Sequence, residues 1–393
     1  MRPVYLDNNA TTQPAPEVLD AQQPFLTTMW GNPSSMHEFG GQVRRYVEKA
    51  REQVASLIGA DPSEIIFTGC GTEGDNTAIL GSVAADQALR HVITSRVEHP
   101  AVLAPCRHLA ANGHYVTELA VDSMGRIDET ELIEALQAGG KALTSIMWAN
   151  NETGVVFPIR RIAEKVKQFG GTMHSDAIQA AGKLPIDVRS VPVDLLTLSG
   201  HKIHAPKGIG ALYIRKGVRI RPLLLGGHQE VNRRAGTENV AGIVALGAAC
   251  EIAQRALHAD HNRIAALRDR LEHGILERCS DVRINGDQKQ RLPNTSSISF
   301  AYIEGEAILY DLSDAGIAAS SGSACTSGSL EPSHVLRTMG VPFTMVNGSI
   351  RFSLSRDTTS EEIDRVLEVL PRVIRRLRAL SPFSSETPGK DHP

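Results

Sequence analysis

Three residues that can form covalent bonds or move protons stand at or just after apolar runs of the sequence: Lys202, Asp176 and His99. A lysine at the end of a buried strand can lose enough solvation to expose a nucleophilic amine. A buried carboxylate can hold a protonated pyridine nitrogen, which makes pyridoxal phosphate an electron sink, and a histidine ring can stack on the pyridine or move protons. The ordinary alternatives are a solvated lysine, a helix-capping aspartate and a structural loop histidine.

A glycine-rich turn follows the apolar run 65–68. Residues 69–74 read Gly-Cys-Gly-Thr-Glu-Gly, and a helix is expected after them. A turn of this kind presents free N–H groups to a phosphate at the positive end of the helix dipole. It also matches the dinucleotide-binding pattern, with Glu98 as the candidate ribose acid, or it serves only to cap the helix through Thr72. A nicotinamide-dependent oxidoreductase would leave Lys202 and Asp176 without a role.

Cys325 lies in a segment, 320–334, that is dominated by serine, glycine and alanine. Such a composition cannot pack a core, so we expect a loop that exposes a nucleophilic thiol. A buried, inert thiol is the expected state of Cys250 and Cys279 instead. A non-enzymatic iron or sulfur carrier is the alternative for Cys325, but a single thiol cannot close a metal site without a partner.

Arg351 belongs to the alternating run 350–355, in which Ile350, Phe352 and Leu354 share one face. In a strand Arg351 would therefore point away from the core. A guanidinium on that polar face is well shaped to bind the α-carboxylate of a substrate with two hydrogen bonds. The alternative is an ordinary surface arginine.

The elements that must position these residues alternate between strand and helix from 65 to 215. Repeated βα units predict an α/β fold with a doubly wound, mostly parallel sheet, whose ligands bind beyond the carboxyl ends of the strands. Helices are expected at 128–137 and 159–169. The predicted strands are 65–68, 91–95, 115–119, 142–148, 172–176, 194–198 and 211–215.

The pattern changes after about residue 255 and predicts a smaller α+β domain. It contains a helix with Ile264 and Leu271 on its apolar face and a strand at 296–301. A capping box at 359–362 opens a last helix, in which Pro371 is expected to cause a kink. We therefore predict a large domain at 16–255, a small domain formed by 1–15 and 256–383, and a disordered tail at 384–393.

Composition excludes several classes of protein. The formal net charge of −3 gives no electrostatic footprint for nucleic acid or an anionic membrane surface. The 5 cysteines include no Cys-x-x-Cys pair, which argues against a disulfide framework and against a zinc site. The N-terminus predicts no secretory signal, and the uncharged stretches are too short to span a membrane. We expect a cytoplasmic protein without an intrinsic metal.

Taken together, these residues resemble a known family almost from end to end. The chain is similar to the pyridoxal-phosphate-dependent cysteine desulfurases, and most similar to those of the nitrogen-fixation NifS type. The motifs that carry the resemblance are residues 5–12, 31–37, 148–154, 199–208, 226–230, 320–336 and 350–356. The resemblance implies a fold-type I transferase with a seven-stranded sheet, pyridoxal phosphate as cofactor, L-cysteine as substrate and a homodimer.

The resemblance also assigns roles. Lys202 would bind the cofactor covalently, Asp176 would hold the pyridine nitrogen, Cys325 would carry the persulfide, and His99 would stack on the ring and take part in catalysis. Asn151 and Arg351 would bind substrate. The other cofactor-binding residues would be Gly71, Thr72, Gln179, Ser199, Gly200, His201 and, from a second subunit, Thr237.

The acceptor of the sulfur would be an iron–sulfur scaffold protein, which the resemblance links to nitrogenase, with Cys325 a transient ligand to its cluster. One departure is Val231-Asn232, where the family usually has Arg-Gly; it bears on local charge and dimer contacts. A selenocysteine lyase or another pyridoxal-phosphate lyase or transferase would share the chemistry of Lys202, and a generic aminotransferase has no use for Cys325.

Overall fold

A computed structural model describes residues 3–321 and 332–382 of the chain. The predicted tail 384–393 and the segment around Cys325 lie outside these ranges. The strands are β1 (Val4–Tyr5), β2 (Ile65–Thr68), β3 (His91–Ser95), β4 (Tyr115–Leu119), β5 (Ala142–Ser145), β6 (Thr172–Asp176), β7 (Leu195–Ser199), β8 (Gly210–Ile214), β9 (Val282–Ile284), β10 (Thr295–Phe300), β11 (Ile317–Ala318) and β12 (Ser349–Ser353).

Most helices lie between these strands, and short 3-10 turns occupy Pro62–Glu64 and Gly200–Lys202. The α-helices are α1 (Pro16–Gln22), α2 (Pro24–Thr27), α3 (Glu38–Gly41), α4 (Arg44–Ile58), α5 (Gly71–Ala85), α6 (Pro100–Ala111), α7 (Glu129–Ala138), α8 (Ile159–Gln168), α9 (Gln229–Asn232), α10 (Val240–Arg278), α11 (Gly305–Asp314), α12 (His334–Thr338), α13 (Phe343–Val346) and α14 (Ser360–Leu380).

Seven strands form the central sheet in the order β2-β8-β7-β6-β5-β3-β4. Among these seven, β8 is the antiparallel strand, since it runs opposite to both β2 and β7. Every residue of β2, β3 and β5–β8 is buried except Thr172, as expected for strands covered by helices on both faces. The predicted α/β fold with a mostly parallel, seven-stranded sheet is confirmed.

The second group of strands is antiparallel, in the order β12-β10-β9. It packs with α14 and the C-terminal part of α10 around a core of its own, which includes Leu6 from the N-terminal segment. The capping box at Thr359 opens α14 as predicted, but the helix continues through Pro371 to Leu380. The domain boundary predicted at residue 256 falls inside α10.

Helix α10 is 39 residues long and contributes to both cores. By length and composition it could cross a membrane, but 56% of its apolar window is buried inside the fold. Its N-terminal half crosses α4 closely, because Gly247 lies against Ala50. A Cβ atom added at Gly247 would come within 2.6 Å of the Cα atom of Ala50.

Replacing Gly247 with alanine should therefore lower stability by about 1–3 kcal/mol, because the added methyl group forces the two helices apart. Thermal unfolding followed by circular dichroism measures the effect. Gly41→Ala is the matched control, since a Cβ atom there would meet only the Ser35 carbonyl oxygen, at 3.6 Å. Equal unfolding midpoints for the two variants would contradict the close helix contact.

Candidate active site

A cavity of about 290 Å3 opens at the carboxyl ends of the central strands. Its position follows from the topology, because β3, β5, β6 and β7 are parallel and end at the same edge of the sheet. Residues predicted from separate parts of the sequence meet in its lining: Gly71, Thr72, His99, Asn151, Asp176, Gln179, Ser199, His201, Lys202 and Arg351.

Lys202 stands on the 3-10 turn that follows β7. Its Nζ donates hydrogen bonds to the carbonyl oxygens of Asn9, at 2.5 Å, and Ala10, at 2.7 Å. The Nε2 of Gln179 donates to the same Asn9 oxygen at 3.0 Å. The N-terminal segment thus holds the lysine amine at the cavity wall, which the spacing of side chains in the sequence could not indicate.

Asp176 ends β6 and is buried. Burial raises the pKa of its carboxyl group to about 6, while a hydrogen bond from the Ile178 N–H and the nearby Lys202 cation act in the opposite direction. The Ile178 N–H donates to Oδ1 at 2.8 Å. At neutral pH the Asp176 carboxyl group is therefore predominantly an anion that is shielded from water, which suits it to bind a protonated ring nitrogen.

His99 and His201 are neutral rings. Burial, followed by the Lys202 cation, lowers the pKa of each to about 4. His99 caps α6, since its Nδ1 accepts a hydrogen bond from the Ala101 N–H at 3.1 Å. Because Nδ1 is the acceptor, the ring proton of His99 is on Nε2. An uncharged imidazole fixed in this way can stack on an aromatic ring.

The glycine-rich turn opens α5, as the sequence predicts. Thr72 lines the cavity but does not cap the helix, because the N-cap residue is Cys70, whose side chain makes no capping hydrogen bond. A Cβ atom at position 71 would lie 2.2 Å from Cδ1 of Ile178, so any larger residue would require the Ile178 side chain to move. Ser199 Oγ is buried and has no hydrogen-bond partner among the described residues. An unsatisfied hydroxyl beside a helix N-terminus is suited to an anion such as phosphate.

Arg351 lies on β12 and is 3% exposed, so it is not a surface arginine. Its Nη1 donates to the Asn151 carbonyl oxygen at 3.0 Å, and its Nη2 forms an ion pair with Asp7 Oδ1 at 2.8 Å. The side chain of Arg351 lines the cavity, as a substrate-binding arginine requires.

Three predicted residues do not line the cavity. Gly200 is part of the turn that leads to Lys202, and its N–H bonds the Ile209 carbonyl oxygen at 3.0 Å, so it shapes the turn and does not offer its N–H to a cofactor. Thr237 is exposed, and its predicted role belongs to a second subunit. Cys325 lies outside the described residues.

Glu98, the alternative ribose acid, is completely buried and turns away from the cavity. Its carboxyl group accepts hydrogen bonds from the Met147 N–H, at 3.0 Å, and from Ser95 Oγ, at 2.7 Å. Burial raises its pKa to about 8, so the group is mostly neutral at pH 7. It cannot bind a ribose there, and the nicotinamide alternative loses its acidic residue.

Residues 4–366 match the model of the class-V aminotransferases. The chain belongs to that family. It is 59% identical over 389 residues to a cysteine desulfurase of Nostoc sp., covering 99% of this chain and 97% of that one. It is 53% identical over 396 residues to the cysteine desulfurase NifS of Azotobacter vinelandii, covering 99% and 98%. A solved NifS-like protein superposes with a TM-score of 0.90 at 38% identity, covering 96% of this chain and 100% of that one.

This class-V aminotransferase is of the NifS type, has the fold of the type I enzymes and uses pyridoxal phosphate. The residues present fit that cofactor. The free hydroxyl of Ser199 and the N-terminus of α5 suit the phosphate, the buried Asp176 anion suits the pyridine nitrogen, and the amine of Lys202 suits the aldehyde. Among the ranges 3–321 and 332–382, no group of acidic, histidine or cysteine residues could hold a metal ion.

The affinity of the apoprotein for pyridoxal phosphate should fall as the pH decreases through about 6, because protonated Asp176 can no longer pair with the ring nitrogen. Asp176→Asn should bind the cofactor at least about tenfold more weakly at pH 8, since a charged hydrogen bond is lost. It should also lose the dependence on pH that Asp176 causes.

Equilibrium dialysis between pH 5 and 8 measures both effects, with the exposed Asp20→Asn as the control for net charge. A pH profile of Asp176→Asn that coincides with that of the unmodified protein would contradict the assignment.

Proposed function

We propose that this protein removes sulfur from L-cysteine, releasing L-alanine and leaving a persulfide on Cys325. The observation that carries the proposal is the meeting of Lys202, Asp176 and Arg351 in one cavity. These three side chains provide an amine, an anion that can pair with a pyridine nitrogen and a cation that can bind an α-carboxylate. The relatives named cysteine desulfurase support the choice of cysteine.

The chain's own groups divide the reaction between them. Arg351 binds the α-carboxylate of the substrate, Lys202 takes the proton from Cα, and the Asp176 anion keeps the ring nitrogen protonated. Bound pyridoxal phosphate supplies an electron sink for the pair of electrons left at Cα. The neutral His99 would cover the ring of the bound cofactor without adding a positive charge beside Lys202.

The described residues on both sides of the segment that carries Cys325 contact residues that line the cavity or are next to them in the sequence. Before it, Ser320 exchanges two backbone hydrogen bonds with Arg351. After it, Ser333 donates its hydroxyl to the buried Glu152, and His334 Nε2 bonds the Glu98 carbonyl oxygen at 3.0 Å. Cys325 is five residues from Ser320, and so many residues can reach about 17 Å when extended. A chain of this length permits the proposed attack on a substrate bound to Arg351.

The transfer of sulfur to Cys325 needs no external oxidant. The Cys325 thiolate attacks the sulfur of the activated substrate, the bond from that sulfur to Cβ breaks, and a sulfur–sulfur bond forms on Cys325. The electron pair of the broken bond remains with the substrate carbon skeleton, which takes up protons and leaves as L-alanine. A later thiol is needed to release the outer sulfur as sulfide.

We also infer that the protein acts as a cytoplasmic homodimer that delivers sulfur to an iron–sulfur scaffold protein, and that it serves nitrogen fixation. The exposed apolar residues Leu225 and Val231, close in sequence to Thr237, support a contact with a second copy. Val231 and Asn232, which depart from the usual Arg-Gly of the family, both adopt positive φ angles, of 55° and 61°. The NifS name of a relative supports the link to nitrogen fixation.

Incubation with L-cysteine and a reducing thiol should yield alanine and sulfide in equal amounts. Without the thiol, intact-peptide mass spectrometry should find one added sulfur on the peptide that contains Cys325. Cys325→Ser should lower sulfide release by at least about 100-fold, because the attacking thiolate is lost.

Cys279→Ala is the control, since Cys279 ends α10 away from the cavity and burial raises its pKa. A Cys325→Ser variant that releases sulfide at the rate of the control would contradict the role of Cys325. Release of selenide from selenocysteine, with no turnover of cysteine, would contradict the choice of substrate.

A further inference from the structure

Some of the N–H donors of the Arg351 guanidinium already form hydrogen bonds within the protein before any substrate binds. Its Nη1 donates to the Asn151 carbonyl oxygen and its Nη2 to Asp7 Oδ1. Its Nε is buried and has no hydrogen-bond partner among residues 3–321 and 332–382. A guanidinium has five N–H donors, so the edge formed by Nε and the second hydrogen of Nη2 remains for a carboxylate.

Asp7 is held at this place by the backbone around it. It forms a β-bridge with Ser353, which lies two residues after Arg351 on β12. The Tyr5 hydroxyl donates to the carbonyl oxygen of Asp7 at 3.1 Å. The side chain of Asp7 is only 20% exposed, so water screens the charge of its carboxylate incompletely. Asp7 is therefore a fixed negative charge in direct contact with the arginine that is to bind a substrate anion.

The other charges around Arg351 do not replace Asp7. Glu152 is within electrostatic range of Arg351, but its carboxyl group accepts a hydrogen bond from the Ser333 hydroxyl and not from the guanidinium. Lys183 is a second cation in range of Arg351, and burial lowers its pKa to about 7. Among the described residues, Asp7 is the carboxylate in direct contact with the guanidinium of Arg351. An α-carboxylate that binds to Arg351 must share one cation with the Asp7 anion, and the two anions repel each other.

We propose that Asp7 determines how tightly the site binds the α-carboxylate of its substrate and product, by neutralising part of the charge of Arg351. The proposal rests on the proposed function, since it takes an α-amino acid as the ligand. A site with a fully uncompensated arginine would hold the product L-alanine more tightly. Asp7 weakens this grip and so favours product release, while its hydrogen bond keeps the guanidinium in place.

The test compares ligands with and without the carboxylate. Asp7→Asn keeps an oxygen that can accept from Nη2 but removes the charge. Isothermal titration of the holoenzyme should show that Asp7→Asn binds L-alanine about five- to tenfold more tightly, as expected for removal of a nearby like charge. Binding of ethylamine, which is alanine without its carboxylate, should change less than about twofold. The KM for L-cysteine should fall by a factor similar to that for L-alanine binding.

Asp357→Asn is the matched control, because Asp357 is 58% exposed and makes no contact with Arg351. Asp7→Ser removes the same charge and replaces Asp7→Asn if the asparagine variant does not fold. Unchanged or weaker L-alanine binding, or an equal shift for ethylamine, would overturn the inference while the enzyme still converts cysteine. If the unmodified holoenzyme neither binds L-alanine nor converts L-cysteine, the proposed function fails, and this inference fails with it.

Discussion

The backbone carbonyl oxygen of Asn9 is the point on which the site depends, because it accepts hydrogen bonds from both Lys202 and Gln179. The side chain of Asn9 binds the small sheet, since its Nδ2 donates to Thr295 Oγ1 and its Oδ1 accepts from Asn294. One residue of the N-terminal segment therefore fixes the lysine amine of the large sheet to the small sheet. Movement of that segment would displace Lys202 and also Asp7, the partner of Arg351.

Burial decides which groups at the site carry charge. His99 and His201 lie beside Lys202, and their low pKa values leave the lysine and Arg351 as the cations of the cavity wall. A second buried carboxylate, Asp75, lies near Asp176, and its Oδ1 is 3.6 Å from Nε2 of His174. Burial, and then the charge of Asp176, raises the pKa of Asp75 well above its ordinary value. Asp176, in contrast, has a backbone donor and a neighbouring cation, which both favour its charged form.

The fold was largely predictable because a strand buried on both faces leaves a continuous apolar run. The runs at β2, β3, β4 and β6 give the observed bounds, β7 and β8 are displaced by one residue, and β5 ends at Ser145, three residues earlier than predicted. After Ser145 the N–H groups of Ile146 and Trp148 still donate to carbonyl oxygens of β6. Most of the predicted site residues line one cavity because parallel strands end at one edge of the sheet. The contacts of Asn9 and Ala10 were not, since backbone carbonyl groups have no signature in the sequence. In the sequence Glu98 is a candidate ribose acid, because the position of a carboxylate in the chain does not show that its side chain accepts from the Met147 N–H in the interior.

The central claim is that the amine of Lys202 is the group that binds the cofactor covalently. Reduction of the holoenzyme with borohydride, followed by peptide mapping, tests this claim most directly, because reduction makes an imine between a lysine and the cofactor permanent. The account predicts one pyridoxyl phosphate per chain, attached to Lys202. A label on another lysine, or an enzyme that converts cysteine but retains no label after reduction, would contradict it.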